Sequence, residues 1–345
     1  MRRSKRLCIR LSSLGDVILS STVLEVKTMH FPQEDQVDWL TSEEYASLFE
    51  SHPRVRDLLT FHRKSGFLGW FHLSRLIWDR DYQEIDDLHV SLRTGVMRFL
   101  FFLWSIYYRK KPPVWKRLDK QRWRFFFYVL FKRFWPKFLR PTALVKRYAQ
   151  VLGGTGQERP SLKHLLLEKK EDDQLRKLRR PFFCVMPGSC WEGKIWPVSS
   201  YLKLISQSSM PVVVLGRSSD WASVDLVKGL KELGIEHFSG IDRWNLPQSA
   251  WVLKEALYYL GSDTGMAHLA EAVGTPAIVL LGPSREDMGF GPWQSRSQTI
   301  GQSLWCRPCG KDGRYCWRPI RKQACLKSLE VEVVDDRIKK GNASA

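Results

Sequence analysis

The sequence predicts an α/β protein of two facing Rossmann-like domains, each a parallel sheet flanked by helices. Three observations predict it. Buried-looking strands run repeatedly into a small-residue turn and then a helix, the repeating unit of a parallel sheet. This rhythm stops, passes through a glycine-rich stretch, and restarts. At 345 residues with 43% hydrophobic content, the chain can build two cores of ordinary domain size.

The first unit opens with the apolar strand Leu7–Leu11, the turn Ser12-Ser-Leu-Gly15, and a helix expected from Asp16 to about Thr28. Further strands are expected at Gln36–Leu40, Asp57–Phe61 and Tyr82–His89. The stretch that follows is expected to be helical, broken at Pro112-Pro113 and Pro136, where the ring removes a backbone donor. Gly153-Gly-Thr-Gly156 through Pro160 reads as the linker, placing one domain at 1–160 and the other at 161–345. Lys169–Arg180 reads as a charged helix. Beyond it come a strand (Phe182–Met186), a helix (Val198–Gln207), a strand (Val212–Leu215) and, after a helix, a short strand (Ile235–Phe238). Then follow a helix (Pro247–Lys254), a strand (Ala256–Leu260), a helix from Met266 and the strand Ala277–Leu281. In a pair of such domains the expected site is the cleft between them.

The formal charge of +19 calls for an anionic partner. It is concentrated in residues 91–150, assigned to the N-terminal domain, which hold 16 Lys/Arg against the single acid Asp119, and 17 aromatics. Basic residues mixed with Trp and Phe suit an anionic membrane surface. The competing reading is a helical hairpin with solvated basic faces and an aromatic core. No recognised nucleic-acid motif accompanies the charge, so nucleic acid is not an expected partner. The longest apolar run, Phe99–Tyr108, is about half the roughly 20 residues that a spanning helix needs. The basic N-terminus lacks the uninterrupted apolar stretch of a signal peptide, so a cytoplasmic location is expected.

Three strand-to-helix junctions carry the chemistry. At each, free N–H groups and the positive end of the helix dipole favour an anion. At the first, Ser12-Ser13-Leu14-Gly15-Asp16, Gly15 permits a tight turn. Asp16 is then either a helix cap or a general base. The second, Pro187-Gly188-Ser189 followed by Lys194-Ile-Trp-Pro197, offers a hydroxyl and a point charge for a phosphate. The third is Ser262-Asp263-Thr264-Gly265-Met-Ala-His268, where Thr264 and Gly265 open a helix and His268 lies on the same side as Thr264. Gly282-Pro-Ser284 gives a further turn at a strand end.

These motifs, in this order, resemble the ADP-heptose:lipopolysaccharide heptosyltransferases, glycosyltransferase family nine. Ile9-Arg-Leu-Ser-Ser-Leu-Gly-Asp-Val-Ile18 is similar to that family's opening motif. Ser262–Pro276 with Gly282-Pro-Ser284 is similar to its nucleotide-sugar motif. Pro187-Gly-Ser189 with Lys194-Ile-Trp-Pro197, and Asp87-Leu-His89 with Leu92-Arg93, also match. The resemblance covers nearly the whole chain. It departs at Leu19–Val23, which lacks the family's usual proline.

The resemblance implies a GT-B fold, inversion at the anomeric carbon, and no obligatory metal or cofactor. It implies an N-terminal acceptor domain, with Asp16 as catalytic base and Ser13, Gly15, His89 and Arg93 at the acceptor. It implies a C-terminal nucleotide-sugar domain. There, Lys194 acts on the leaving diphosphate with Thr264 and Gly265, and Ser189, Asp263 and His268 complete the pocket. The expected partners are an ADP-heptose donor and a lipid-linked glycan acceptor, and the protein is expected to be a monomer, peripheral on the cytoplasmic face of the inner membrane. Two alternatives stand beside this: a transferase for another nucleotide sugar, and a non-catalytic membrane-associated protein of the same fold. The presence of Asp16, Lys194 and His268 argues against the latter. Cys306-x2-Cys309-x6-Cys316-x8-Cys325 has zinc-like spacing in its first pair, leaving structural zinc, a local disulfide and reduced thiols open.

Overall fold

The computed structural model describes residues 5–27, 36–166, 173, 175–310 and 313–343. The chain forms two compact units, Met1–Lys120 with Leu144–His164, and Gln121–Ala143 with Leu165–Ala345.

The first unit contains β1 (Arg6–Ile9), α1 (Leu14–Ser20), β2 (Val37–Ser42), β3 (Val55–Phe61), α2 (Gly66–Asp79), β4 (Glu84–Asp87), α3 (Leu92–Tyr107) and β5 (Val114–Arg117). Its strands pair in parallel in the order β3-β2-β1-β4-β5. β1 and β2 are buried along their whole length, as parallel strands covered on both faces must be. Leu7, Ile9, Leu40 and Ile85 pack with Trp70 and Ile77 of α2 and Met97 and Phe101 of α3.

The second unit takes α4 (Arg122–Phe131) from the chain before the first unit is finished by α5 (Leu144–Val151). It continues with β6 (Phe183–Met186), α6 (Val198–Ser206), β7 (Val212–Val214), α7 (Trp221–Glu232), β8 (His237–Ser239) and α8 (Leu246–Glu255). β9 (Tyr259–Ser262), α9 (Gly265–Ala272), β10 (Ala277–Leu280), β11 (Gln298–Ile300), α10 (Ala324–Lys327) and α11 (Val331–Ala343) complete it. The order β11-β10-β9-β6-β7-β8 is again all parallel. Both sheets are doubly wound. The chain reverses its direction of travel at β1/β4 in one and at β6/β9 in the other, and ligand sites form outside the C-terminal strand ends at such points.

Several expectations need correction. The first helix is an α-helix only to Ser20 and continues as a 3-10 helix, Ser21–Glu25. The Ser20 and Ser21 hydroxyls donate back to the Val17 and Ile18 carbonyls, both at 2.7 Å, which competes with regular helix geometry there. Thr28 lies outside the described residues, as do 169–172 and 174 of the Lys169–Arg180 stretch. Within that stretch Leu175–Lys177 is a single 3-10 turn.

The basic stretch is not helical throughout. After Pro112-Pro113 it forms β5, and Lys116 and Arg117 reach across to Glu84 (2.9 Å) and Asp87 (3.3 Å) on β4. Nor does it belong wholly to the N-terminal domain, because residues 121–143 pack in the second unit. The Tyr128 hydroxyl donates to Asp287 at 2.6 Å, Arg140 pairs with Asp287 at 2.8 Å, and the Phe125 and Phe290 rings meet at 6.2 Å. The 153–160 stretch stays with the first unit, where Glu158 accepts the N–H groups of Thr155 and Gly156.

Candidate active site

In the first unit the sheet delivers Arg10 and Asp16 from the end of β1, and His89 from the end of β4. Ser13 is the N-cap of α1, and Asp16 stands three residues later in its first turn. The Ser13 hydroxyl donates to Asp16 at 3.4 Å. The stronger partner is Arg10. One Arg10 nitrogen pairs with the Asp16 carboxylate at 2.5 Å, and another donates to the Leu88 carbonyl at 2.6 Å. The guanidinium lies over the Tyr148 ring of α5, 5.7 Å from its centroid. Arg10 is buried, while Asp16 keeps partial access to solvent. A carboxylate held this way is kept aimed, which a base requires.

His89 is neutral. Burial, then the cations Arg10 and Lys120, push its ring down to about 3, with Asp16 pulling weakly the other way. Asp87 fixes the loop by accepting the N–H groups of His89 (3.1 Å) and Val90 (2.6 Å). The Arg93 guanidinium lies over the Phe61 ring at 5.3 Å, and its charge adds to the push on His89. Neither Arg10 nor Tyr148 is a candidate that the sequence alone points to. Arg10 reads there as an interruption of an apolar strand, and that interruption was the signal.

In the second unit, Lys194 and Asp263 form the centre. Lys194 Nζ meets Asp263 Oδ2 at 3.0 Å and donates to the Asp263 carbonyl at 3.2 Å, and both side chains are largely buried. The Ser262 hydroxyl donates to the Lys194 carbonyl, and that of Ser284 to Asp263 at 3.5 Å. His268 Nε2 lies 3.9 Å from Asp263 Oδ1. Thr264 is the N-cap of α9, but its hydroxyl caps no N–H. It lies instead 3.5 Å from the Tyr259 hydroxyl. Among the described residues, two of the three Lys194 donors are therefore engaged.

Close backbone approach explains the glycines here. A Cβ on Gly193 would lie 2.3 Å from the Gly313 carbonyl oxygen, and one on Gly188 would collide with the Asp220 carboxylate. Ser189 follows Gly188, and its hydroxyl accepts the Trp191 N–H at 3.3 Å. Among the described residues it shares no hydrogen bond with Lys194 or Asp263.

Trp293 has no sequence signal at all. Its ring stacks on His268 with centroids 5.8 Å apart at 13°. Glu271 of α9 holds the loop in place by accepting the Trp293 and Gln294 N–H groups, each at 2.9 Å.

The seven cysteines are free thiols. Burial, with Cys325, Cys306 and Cys316 nearby, pushes the Cys309 thiol up to about 11. Among the described residues no three His, Cys, Asp or Glu side chains are grouped to hold a metal ion. The triplet Asp79-Arg-Asp81 is spaced like a metal motif, but it ends α2, where Asp79 pairs with Arg75 (3.2 Å) and Asp81 with Lys110 (2.9 Å).

The family model for glycosyltransferase family 9 (heptosyltransferase) matches residues 132–316, more than half of the chain. Lipopolysaccharide heptosyltransferase 1 of Pseudomonas aeruginosa is 27% identical over 340 residues, covering 94% of this chain and 91% of that protein. The crystal structure of a family 9 glycosyltransferase from Veillonella parvula superposes with a TM-score of 0.74 at 18% identity, covering 100% of this chain and 99% of that one. E. coli heptosyltransferase WaaC with ADP-2-deoxy-2-fluoro heptose gives a TM-score of 0.64 at 18% identity, over 97% and 99% of the two chains. At such identities the structural matches establish the fold, and the family model establishes kinship: the chain belongs to glycosyltransferase family 9, the heptosyltransferases.

Proposed function

We propose that the protein transfers a heptose, with inversion, from an ADP-sugar to the inner core of a lipopolysaccharide acceptor. The observation that carries this reading is the Lys194–Asp263–His268 group at the β6/β9 switch point, beside a helix start whose first N–H groups have no side-chain cap. The names of the matched relatives supply the sugar and the acceptor.

In this reaction an acceptor hydroxyl attacks the anomeric carbon and gives its proton to Asp16. The bond from that carbon to the diphosphate breaks, and ADP leaves with the electron pair. Ser13, Gly15, neutral His89 and the Arg93 cation serve the acceptor. The third Lys194 donor and the backbone of Thr264 and Gly265 take the charge that develops on the diphosphate. Ser189 adds a hydroxyl, while Asp263 and His268 hold Lys194 and the pocket wall in place. No metal or cofactor is needed, since a fixed ammonium and a helix terminus perform the neutralisation. The protein works as a monomer on the cytoplasmic side of the inner membrane, where a lipid-linked acceptor is reached.

A panel of ADP-, UDP- and GDP-sugars, assayed with lipid acceptors from a strain lacking the gene, tests the reading. Turnover is expected with ADP-heptose and undiminished in excess EDTA. Asp16→Ala should cut kcat about a hundredfold or more at unchanged Tm, as loss of a general base does. Turnover with a different donor, or loss on chelation restored by magnesium, would overturn the corresponding part.

A further inference from the structure

We propose that the solvent-facing side of α3 is a lipid-docking face that seats the protein on an anionic bilayer. This goes beyond the transfer reaction and stands whichever sugar is moved. α3 is apolar on two opposite sides. Thr94, Met97 and Phe101 are buried against the sheet. On the other side Phe99, Phe102, Leu103 and Ile106 follow i, i+3, i+4, i+7 spacing and are 60%, 56%, 44% and 62% exposed. A helix lying on a sheet ordinarily presents charge and polarity outward, and one that is apolar all round needs a second cover.

The charge around this face says what covers it. From Leu88 to Leu118 the chain has no acidic residue. Arg98 on α3, and Arg109 and Lys111 just beyond it, are exposed and make no ion pair among the described residues. Beside them Arg75 of α2 lies over the rings of Trp104 (5.4 Å) and Tyr108 (4.8 Å). An apolar strip rimmed by free cations matches anionic headgroups above an acyl layer. A second copy of the same face would bring like charges together, which opposes self-association. No helix among the described residues is long and apolar enough to cross a membrane, so the docking is parallel to the surface.

The test is cosedimentation of the full chain with phosphatidylcholine vesicles, with or without about one-third phosphatidylglycerol, across a salt series. Two variants separate the contributions: Phe102→Gln with Ile106→Gln, and Arg98→Gln with Arg109→Gln and Lys111→Gln. All five side chains are exposed, so melting should match the parent protein. The parent should bind anionic vesicles about tenfold more tightly than neutral ones, and weaken with salt without losing all binding. The apolar variant should lose binding at every salt concentration. The charge variant should lose the preference for anionic vesicles. ADP release with detergent-dispersed acceptor should be unchanged in both, which separates this proposal from the transfer reading. Equal binding to both vesicle types, no binding, or binding retained by the apolar variant would overturn it. So would a dimer in light scattering that the apolar variant dissolves, since the face would then join two copies.

Discussion

A lysine held by a carboxylate and a carbonyl has little freedom left, and Lys194 is in that state. The pair has two consequences that a double variant can separate. Because both groups are largely buried, Lys194→Ala leaves the Asp263 charge without its partner, at a cost of about 3–5 kcal/mol. It also removes the donor aimed at the diphosphate. Adding Asp263→Ala removes the stranded charge, so Tm should recover in the double variant while kcat/KM stays depressed by about a hundredfold. Thermal melting and steady-state kinetics on the three proteins decide it. Recovery of activity together with Tm would reduce Lys194 to a structural role. Asp16 and Arg10 form the equivalent pair in the first unit, and there only the carboxylate was legible in the sequence. A guanidinium inside an apolar strand declares that it has a partner, but not which one. The β1–α1 turn and the end of β4 had to be brought together before Arg10 could be seen to link Asp16 with the Leu88 carbonyl.

At the scale of elements, strands were legible where burial on both faces makes them continuously apolar, as in β1, β7 and β10. β5 was not, because Val-Trp-Lys-Arg sits at the sheet edge and pairs through charges with β4, which local composition does not reveal. Connections carry physics of the same hidden kind. Between β2 and β3, His52 is buried, accepts the Arg54 N–H on Nδ1 at 3.2 Å, and lies with its ring 4.5 Å from that of His164. Burial first, then His164 and Arg54, push His52 from 6.5 down to about 3. The sign follows directly. Above about pH 6.5 the ring is neutral in both folded and unfolded chains and has no effect. Between 6.5 and 3 the unfolded chain binds a proton that the folded one refuses, so stability falls as pH falls, by up to about 1.4 kcal/mol per unit. His52→Asn keeps an acceptor for the Arg54 N–H and removes the titration. It should flatten the loss of Tm between pH 6.5 and 4 and leave Tm at pH 8 nearly unchanged. An unaltered slope would assign the acid sensitivity to other groups.

For the whole molecule, the two-unit plan was legible because the strand-turn-helix rhythm repeats on either side of a break, while the actual division of the chain was not. Residues 121–143 precede the end of the first unit in sequence yet belong to the second. Nothing in the local pattern of α4 announces this, because the partner of Tyr128 and Arg140 is Asp287, more than 140 residues away. The assignment has a calorimetric consequence. Two units with separate cores should unfold in two transitions. A ligand bound by the native state of one unit raises that unit's transition by mass action, by about 2.7 kcal/mol at a hundred times its Kd. ADP should therefore shift one transition and leave the other in place. Tyr128→Phe and Arg140→Ala remove partners of Asp287, so each should lower the ADP-sensitive transition, although in sequence both lie before α5 of the first unit. Arg147→Met, which loses the hydrogen bond to the Asp119 carbonyl (3.0 Å) inside the first unit, should lower the other. Scanning calorimetry of the parent and the three variants, with and without ADP, reads all of these at once. If Arg140→Ala instead lowered the transition that ADP leaves unmoved, then residues 121–143 would belong with the first unit or the nucleotide would bind there.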